Sequence, residues 1–323
     1  MLGIVVLFGL GIGICLVVCL ASDARRVGYA HHFDGLSENH RSSPSDGNET
    51  PVRADVLHYR YKVVKSYPHD WRSFTQGLVY EDGFIYEGTG LYGQSAIFQR
   101  DLQTGKAAKT LRLSDKYFGE GIALVGDKLI QLTWQSNVGF VYKKDTFTPL
   151  GQFKYAGEGW GLTYDGKRLI LSDGTSTLRF LDPNTYAETG RIKVRDQGRP
   201  VPYINELEFI ADGPHVAQPP PAVKSEESPP RAGVPQAEVP DGLVYANIWR
   251  TDQIVIIDPK TGRVTGRIDL SGLYTPPVDD EGDRVLNGIA YFLKTKHLLV
   301  TGKLWHRMYE IELVPEPPHQ PKR

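Results

Sequence analysis

Short apolar runs separated by turn residues dominate the chain after residue 55. The stretch that begins at Gly77 shows the pattern, with strand-sized runs at residues 77–80, 84–88, 96–100 and 109–113. Turns such as Asp82-Gly83, which divides the first two runs, are typical of antiparallel β-strands. No helical period of useful length appears, so the pattern predicts an all-β protein. A second turn, which opens with aspartate, recurs at Asp101, Asp145, Asp182 and Asp258.

One strand start recurs along the chain: a polar or aromatic residue, then glycine, then Leu or Ile. The glycine stands at positions 77, 121 and 161 in the first three copies, a spacing of 44 and then 40 residues. Four-stranded units of about 40 residues are the signature of a β-propeller, so five starts predict a five-bladed β-propeller. The starts are Gln76-Gly77-Leu78, Glu120-Gly121-Ile122, Trp160-Gly161-Leu162, Asn287-Gly288-Ile289 and, with Glu in place of Gly, Asn205-Glu206-Leu207.

The last unit, Leu286 to Leu313, has room for only three strands. We expect its missing outer strand to come from Leu57 to Lys65, which precedes the first unit. This N-terminal strand would close the ring and remove an exposed sheet edge. The propeller, taken as the catalytic domain, is therefore predicted to span residues 56–315, with a short tail at 316–323.

The fourth unit carries an insertion at residues 213–240 that contains eight prolines. This is too much proline for a sheet, and the apolar content is too low for a core. We expect a disordered loop between the first and second strands of the unit. A binding arm for a proline-recognising domain is the less favoured alternative.

The N-terminus begins with an apolar leader at residues 1–24. No charge occurs between Leu2 and Ala21, which fits either a cleaved signal peptide or a retained membrane anchor. We therefore expect the protein to be exported (secreted, periplasmic or in the lumen of the secretory pathway) or anchored by this segment. Residues 25–55 are polar and are predicted to be a linker. The only cysteines, Cys15 and Cys19, lie in the leader, so the rest of the chain has no internal disulfide.

The charge balance narrows the choice of partners. Lys and Arg number 37 against 38 Asp and Glu, a net charge of −1. Nucleic-acid binding needs a clustered basic surface, so nucleic acid is not expected as a partner. We expect a monomer whose stability comes from packing.

The candidate site follows from strand direction. In an antiparallel blade, the start of the innermost strand and the end of the second strand lie at the same edge, so these positions converge around one mouth of the channel. The starts contribute Gln76, Glu120, Trp160, Asn205 and Asn287, with Phe74 and Phe118 just before the first two, and the ends contribute Glu87, Trp134, Asp173, Trp249 and Lys303.

This rim contains three of the five tryptophans of the chain. Aromatic walls with a few convergent polar groups describe a ligand pocket. A carboxyl group among aromatic rings has a raised pKa, which suits a proton carrier near neutral pH. The plain alternative is a channel lined with polar side chains that bond one another and water.

Eight segments, in this order, give the chain a family resemblance over about residues 60–313. It resembles the plant and bacterial type of glutaminyl-peptide cyclotransferase. That resemblance implies a five-bladed propeller that converts the N-terminal glutamine of peptides or proteins into pyroglutamate with loss of ammonia. The segments are Phe74 to Leu78, Gly90 to Gly93, Phe118 to Ile122, Leu132 to Trp134, Gly157 to Leu162, Asn205 to Glu208, Ala246 to Trp249 and Leu286 to Ile289.

The resemblance also implies roles for single residues. Glu120 matches the catalytic acid/base, and the insertion in the fourth unit touches none of the matching positions. No metal or other cofactor is required, although a structural calcium ion in the central channel stays open. The aromatic walls are Phe74, Phe118, Trp134, Trp160 and Trp249, and the polar contacts grouped with the catalytic residue are Gln76, Asn205 and Lys303.

Two other functions stay open at this point. A calcium-dependent propeller lactonase or esterase would use the oxygen donors of the rim, although such hydrolases usually have six blades. A propeller that only displays a binding face would have no activity on peptides. The oxygen donors in question are Glu120, Asn205, Asn287 and Asp173.

Three further features attract alternative interpretations. Gly88 to Gly93 fits the dinucleotide-binding pattern G-x-G-x-x-G, but a strand-like run follows instead of a helix that could receive a pyrophosphate. Glu158 competes with Glu120 as the carboxylate, but it lies ahead of the strand start. His69 and His306 have no partner at metal-ligand spacing, so we expect surface or network roles for both.

Overall fold

The computed structural model describes residues 56–211, 241–275 and 284–317. Every regular element in these ranges is a β-strand, beginning with β1 (Leu57–Pro68). Within the same ranges no helix has the length and apolarity needed to cross a membrane. The predictions for the leader at 1–24, the linker at 25–55 and the insertion at 213–240 lie outside the described residues.

The first three repeat units each form one four-stranded sheet in which the strands follow in chain order. Neighbouring strands are antiparallel, as the Asp-Gly turns predict. The first sheet is β2 (Thr75–Glu81), β3 (Phe84–Thr89), β4 (Ala96–Asp101) and β5 (Ala107–Arg112). The second is β6 (Gly119–Val125), β7 (Lys128–Thr133), β8 (Val138–Lys143) and β9 (Pro149–Lys154), and the third is β10 (Leu162–Tyr164), β11 (Leu169–Ser172), β12 (Thr177–Leu181) and β13 (Glu188–Lys193).

The remaining strands form a short hairpin and one larger sheet. The hairpin is β14 (Arg195–Asp196) with β15 (Arg199–Pro200). The larger sheet contains β16 (Ile204–Ile210), β17 (Leu243–Ile248), β18 (Gln253–Ile257), β19 (Val264–Asp269), β20 (Leu286–Phe292), β21 (His297–Gly302) and β22 (Arg307–Pro315), together with β1. Its strand order is β16-β17-β18-β19-β1-β22-β21-β20, which is two groups of four side by side.

The N-terminal strand supplies the outer strand of the last group. β1 pairs antiparallel with β22, from Tyr59 opposite Pro315 to Pro68 opposite Arg307. Its first three residues also pair in parallel with β19. The all-β propeller class is thereby confirmed. The number of five blades stays a prediction, because the pairing of β1 with β19 merges the last two groups into one sheet.

Apolar clusters lie between neighbouring groups of strands and hold them together. One cluster combines Leu78 and Ile85 of the first sheet with Leu299 and Met308 of the last group. The two ends of the propeller therefore share a core. This contact adds side-chain packing to the backbone closure that β1 provides.

The recurring aspartate turns have a local cause. Asp101 Oδ1 accepts hydrogen bonds from the backbone N–H of Thr104 at 2.8 Å and from its hydroxyl at 2.7 Å. Asp182 Oδ1 accepts the N–H of Thr185 at 2.8 Å in the same way. A side-chain oxygen that satisfies a turn N–H stabilises the turn without any distant partner. This is why the turn could be recognised from the sequence.

The first strands of the groups approach one another closely around the channel. A Cβ at Gly77 would lie 2.5 Å from the backbone nitrogen of Ile122, and a Cβ at Gly121 would lie 2.6 Å from that of Leu162. Real side chains do not fit at such distances, so the repeated glycine has a steric reason. The glycine recurs in the sequence because the first strands of neighbouring groups pack too closely for a Cβ at this position.

Glu206 breaks this repeat for a structural reason. Its side chain is 1% exposed, and its two carboxyl oxygens accept the backbone N–H groups of Leu78 at 3.2 Å and Ile289 at 2.9 Å. These two residues directly follow Gly77 and Gly288 in the starts of other units. Burial raises the pKa of Glu206 well above its ordinary value. The carboxyl group thus links strand starts from three groups.

Candidate active site

Glu120 lies at the second position of β6 and is 4% exposed. Gln76 Nε2 donates a hydrogen bond to Glu120 Oε1 at 3.0 Å. Burial raises the pKa of Glu120 well above its ordinary value, the positive charge of Lys303 opposes this, and the negative charge of Glu158 adds to it. Glu120 therefore has the environment that general acid/base chemistry needs.

A chain of amides leads to this carboxyl group. Asn287 Nδ2 donates to the backbone oxygen of Thr75 at 2.9 Å and to Gln76 Oε1 at 3.2 Å. Since the Gln76 oxygen is engaged in this way, its NH₂ group faces Glu120. Asn287 lies on the rim, but the family resemblance assigned it no role in the site. The sequence signal for it was its place in the repeated strand start.

Two buried side chains at the mouth keep acceptor capacity for a ligand. Asn205 Oδ1 and Asn287 Oδ1 find no donor among the described residues, although both side chains are almost fully buried. A buried carbonyl oxygen without a donor costs free energy, and a bound molecule with N–H groups would satisfy it. Both side chains therefore keep one acceptor oxygen that no described residue satisfies.

The buried end of the aromatic wall consists of phenylalanines. Phe74 and Phe118 meet edge to face with ring centroids 6.1 Å apart, and Trp134 continues the wall 5.6 Å from Phe118. Lys303 Nζ lies 4.7 Å from the centroid of the Phe74 ring. The structure thus brings four of the predicted residues together at one side of the mouth, two of them aromatic residues that precede a strand.

The other side of the mouth consists of tryptophans. Trp160 and Trp249 meet edge to face with centroids 5.6 Å apart, and both are half-buried. The backbone oxygen of Trp160 accepts the N–H of Gly121, next to Glu120, at 2.7 Å. Trp160 is therefore tied to the strand that carries the candidate acid/base. Asn205 follows in the next group, where its backbone oxygen accepts the Ser172 hydroxyl at 2.6 Å.

Exposed tyrosines extend the wall outward at both ends. Tyr92 packs 5.5 Å from Phe118 and Tyr203 packs 6.2 Å from Trp249, and both remain nearly half exposed. Tyr203 has a left-handed backbone, with φ of 62°. Tyr92 lies in the segment Gly90 to Gly93 that carries the family resemblance, but neither tyrosine was assigned to the wall, because the repeat marks strand starts and not the loops beside them.

Sequence reasoning weighed Glu158 only as a competitor of Glu120 and missed its contact with the aromatic wall. Its Oε2 atom accepts the indole N–H groups of Trp134 at 2.8 Å and Trp160 at 2.9 Å. It lies before β10, as its sequence position indicated, and it contacts the aromatic wall. The only sequence signal was its position two residues before a rim tryptophan.

Glu87 and Asp173, which the strand pattern also puts on the rim, have structural partners. Burial opposes ionisation of Glu87, but His69 and Arg100 outweigh it and lower the pKa of Glu87 to about 2. The contacts are 2.8 Å from His69 Nε2 and 2.8 Å from Arg100 Nε. This confirms a network role for His69. Asp173 Oδ1 instead accepts the Thr175 hydroxyl at 2.6 Å in a turn.

A metal ion held by side chains requires several ligands that lie close together. Across the described ranges, no three or more His, Cys, Asp or Glu side chains are grouped as metal ligands would be. Glu206 and Glu208 both lie on β16, the first strand of its group. A structural calcium ion in the central channel stays a prediction.

The fold and the site together define a β-propeller with a buried carboxyl group between aromatic walls. The chain belongs to the glutamine cyclotransferase family, whose model matches residues 38–216 and 223–313. The enzymatic function expected from the sequence, that of a glutaminyl-peptide cyclotransferase, is confirmed by this membership.

Two relatives illustrate the similarity. The chain is 40% identical over 256 residues to a glutaminyl-peptide cyclotransferase of Arabidopsis thaliana, covering 78% of this chain and 71% of the relative. The crystal structure of the glutaminyl cyclase of Myxococcus xanthus superposes with a TM-score of 0.66 at 32% identity, covering 81% of this chain and 100% of that one. The roles of single residues stay predictions.

Proposed function

We propose that this mouth binds the N-terminal glutamine of peptides or proteins and closes it to pyroglutamate with release of ammonia. The observation that carries the proposal is the Glu120 carboxyl group, which is buried, has a raised pKa and is held by Gln76. A group of this kind can accept and return a proton near neutral pH.

In the proposed reaction, the nitrogen of the α-amine attacks the side-chain amide carbon of the same residue. Glu120, as a carboxylate, accepts a proton from the amine as the new C–N bond forms. It returns that proton to the side-chain nitrogen as the old C–N bond breaks, so ammonia leaves. Protons and bonds balance without a redox partner, and no cofactor is required.

The walls and the polar groups have separate tasks in this proposal. The reaction is intramolecular, so a wall that holds the glutamine folded supplies much of the rate acceleration. The tryptophans also exclude water, which strengthens electrostatic interactions inside the site. Gln76 is engaged with Glu120, and Lys303 lies beside Phe74, so Lys303 is the preferred cation for the developing oxyanion. Asn205 and Asn287 would accept N–H groups of the substrate.

The central test is ammonia release from a peptide that begins with glutamine, followed by mass spectrometry and an ammonia assay. Glu120→Gln should lower kcat by about 10²-fold to 10⁴-fold, the range for removal of a general acid/base. Glu310→Gln is the matched control, because Glu310 is a buried carboxyl that bonds Tyr67 and His297 instead of site residues. Turnover near that of the wild type in folded Glu120→Gln would contradict the assignment.

Removal of divalent cations separates this function from the calcium-dependent hydrolase. We expect turnover of the glutamine peptide to be unchanged after treatment with a chelator, because no step uses a metal. Complete loss that calcium restores would instead favour the hydrolase or a structural ion near Glu206. A peptide that begins with alanine provides the blank.

The proposal also covers the substrates, the oligomeric state and the localisation of the protein. Substrates are peptides or proteins with N-terminal glutamine, and the protein acts as a monomer with no nucleic acid bound. The apolar leader at 1–24 supports export to the periplasm, to the secretory lumen or out of the cell, or retention by a single anchor. Cell fractionation with an antibody against the propeller would test this: recovery in the cytosolic fraction would contradict it.

A further inference from the structure

Glu158 joins two tryptophans that belong to different sheets. Trp134 directly follows β7 of the second sheet, and Trp160 lies just before β10 of the third. Both indole N–H groups donate to one atom, Glu158 Oε2, at 2.8 and 2.9 Å. The other oxygen, Oε1, accepts Gln135 Nε2 at 3.0 Å. The carboxylate therefore fixes the indoles relative to each other across the gap between sheets.

The chemistry of this contact favours a carboxylate. An indole N–H is a donor only, so two indoles need a shared acceptor with spare lone pairs. Hydrogen bonds to an ionised acceptor are shorter and stronger than neutral ones. Glu158 is half-buried, so the contact is partly shielded from competing water. The three residues are thus a built clamp within the wall.

The clamp connects two aromatic pairs into one surface. Trp134 packs on Phe118 at 5.6 Å, and Trp160 packs on Trp249 at 5.6 Å. Glu158 Oε2 joins these two pairs, because it accepts one indole N–H from each of them. The orientation of both halves of the wall is therefore coupled through this side chain.

We propose that Glu158 is a positioning residue for the cyclisation, which clamps Trp134 and Trp160 into a preformed wall against which the N-terminal glutamine folds. This inference rests on the proposed function of the site. A glutamine held in the folded conformation has its amine near its own amide carbon. Loosening the wall costs the enzyme both binding and productive geometry.

The clamp also has an electrostatic consequence. The titratable groups that act on or respond to Glu120 are Lys303, Glu158 and Tyr155. The charge of Glu158 favours the protonated form of Glu120, while that of Lys303 favours the ionised form. Removal of the Glu158 charge should therefore lower the pKa of Glu120. The acid limb of the kcat/KM profile would then move to lower pH.

Two substitutions separate the clamp from its charge. Glu158→Ala removes the acceptor, and we expect KM to rise about tenfold and kcat/KM to fall about ten- to a hundredfold, as for loss of partly buried charge-assisted bonds. Glu158→Gln keeps an acceptor oxygen, so it should recover most of the loss in KM. Its acid limb should nevertheless lie at lower pH than that of the wild type. Loss of a residue with only a general structural role would not give this combination, in which glutamine restores KM but leaves the acid limb of the kcat/KM profile at lower pH.

A control variant and a fluorescence measurement complete the test of the clamp. Glu312→Gln removes an exposed carboxylate paired with Lys62 on the outer strands and should leave both constants unchanged. The indoles give a readout without catalysis: Glu158→Ala should increase acrylamide quenching of tryptophan fluorescence, and Glu312→Gln should not. Unchanged KM and unchanged quenching in Glu158→Ala would overturn the clamp. Absence of ammonia release by the wild type, with increased quenching in Glu158→Ala, would overturn only the proposed function.

Discussion

At the scale of single residues, the orientation of one amide determines how Glu120 is held. Asn287 donates to Gln76 Oε1, and Gln76 in turn donates to Glu120 Oε1. If the Gln76 amide turned over, its oxygen would face the carboxyl group and repel the ionised form. Asn287 therefore orients the amide that holds Glu120 without bonding to the carboxyl group itself.

This arrangement predicts the effect of Asn287→Asp. An ionised aspartate cannot donate to Gln76, so the Gln76 amide loses its fixed orientation, and we expect kcat/KM to fall about ten- to a hundredfold. The measurement is the pH dependence of kcat/KM, with circular dichroism to verify folding. Asn184→Asp, in an exposed turn, is the control. A folded Asn287→Asp enzyme with the profile of the wild type would refute the relay.

Trp249 allows a second test at the residue scale. It packs on Trp160 and Tyr203, at the side of the mouth that the tryptophans form. Trp249→Ala should therefore mainly raise KM, by about tenfold, since a buried aromatic contact is lost. Trp71→Ala is the control, because Trp71 is 60% exposed. Steady-state kinetics with no change in either constant for Trp249→Ala would place this residue outside the pocket.

At the scale of elements, the strand starts are positioned by close backbone packing. Gly161 is the strictest case, because a Cβ there would overlap the backbone oxygen of Asn205 and lie 2.9 Å from its carbonyl carbon. Asn205 is also a proposed contact of the substrate. The glycine thus couples the packing of two strands to the geometry of the site.

Gly161→Ala should therefore lower both stability and activity. We expect the free energy of unfolding to decrease by about 1–3 kcal/mol, the usual cost of overpacking, and kcat/KM to fall as Asn205 moves. Urea denaturation and kinetics measure the two effects. Gly151→Ala is the matched control, because nothing lies within 4 Å of a Cβ at that exposed strand position. Equal stability of the two variants would show that the strand start can shift freely.

Elements also show which features the sequence could predict. The aspartate turns depend on neighbours three residues away, as in Asp101 with Thr104, so their signal is local. The repeated glycine is visible because the same steric demand recurs in each unit. The role of Glu206 was not predictable, because its partners Leu78 and Ile289 are 128 and 83 residues away.

At the scale of the whole molecule, buried and partly buried carboxyl groups make stability depend on pH in two opposite ways. Burial raises the pKa of Glu208 to about 8 from an ordinary 4.5, and Glu206 is raised as well. His69 and Arg100 outweigh burial at Glu87 and lower its pKa to about 2. The fold thus favours protonated carboxyls at the axis and an ionised one in the first sheet.

The sign of each effect follows from proton linkage. The contribution of Glu208 to the free energy of unfolding is complete below its unfolded pKa, 4.5. This contribution is lost as the pH rises through about 8. That of Glu87 is present above 4.5 and is lost as the pH falls through about 2. Urea denaturation across this range should show stability that decreases in both directions. Glu208→Gln should flatten the alkaline side, and Glu312→Gln should not; equal slopes would refute the assignment.

The sequence by itself determined the strands, their grouping into repeats, the closing role of β1 and most residues of the mouth. These features follow from local turn chemistry and from a steric demand that each unit repeats. Only the tertiary structure decided the clamp at Glu158, the relay from Asn287 and the link at Glu206. Their hydrogen bonds join different strand groups, with Asn287 and Gln76 separated by 211 residues. Such pairings depend on how the ring closes, and no spacing along the chain encodes them.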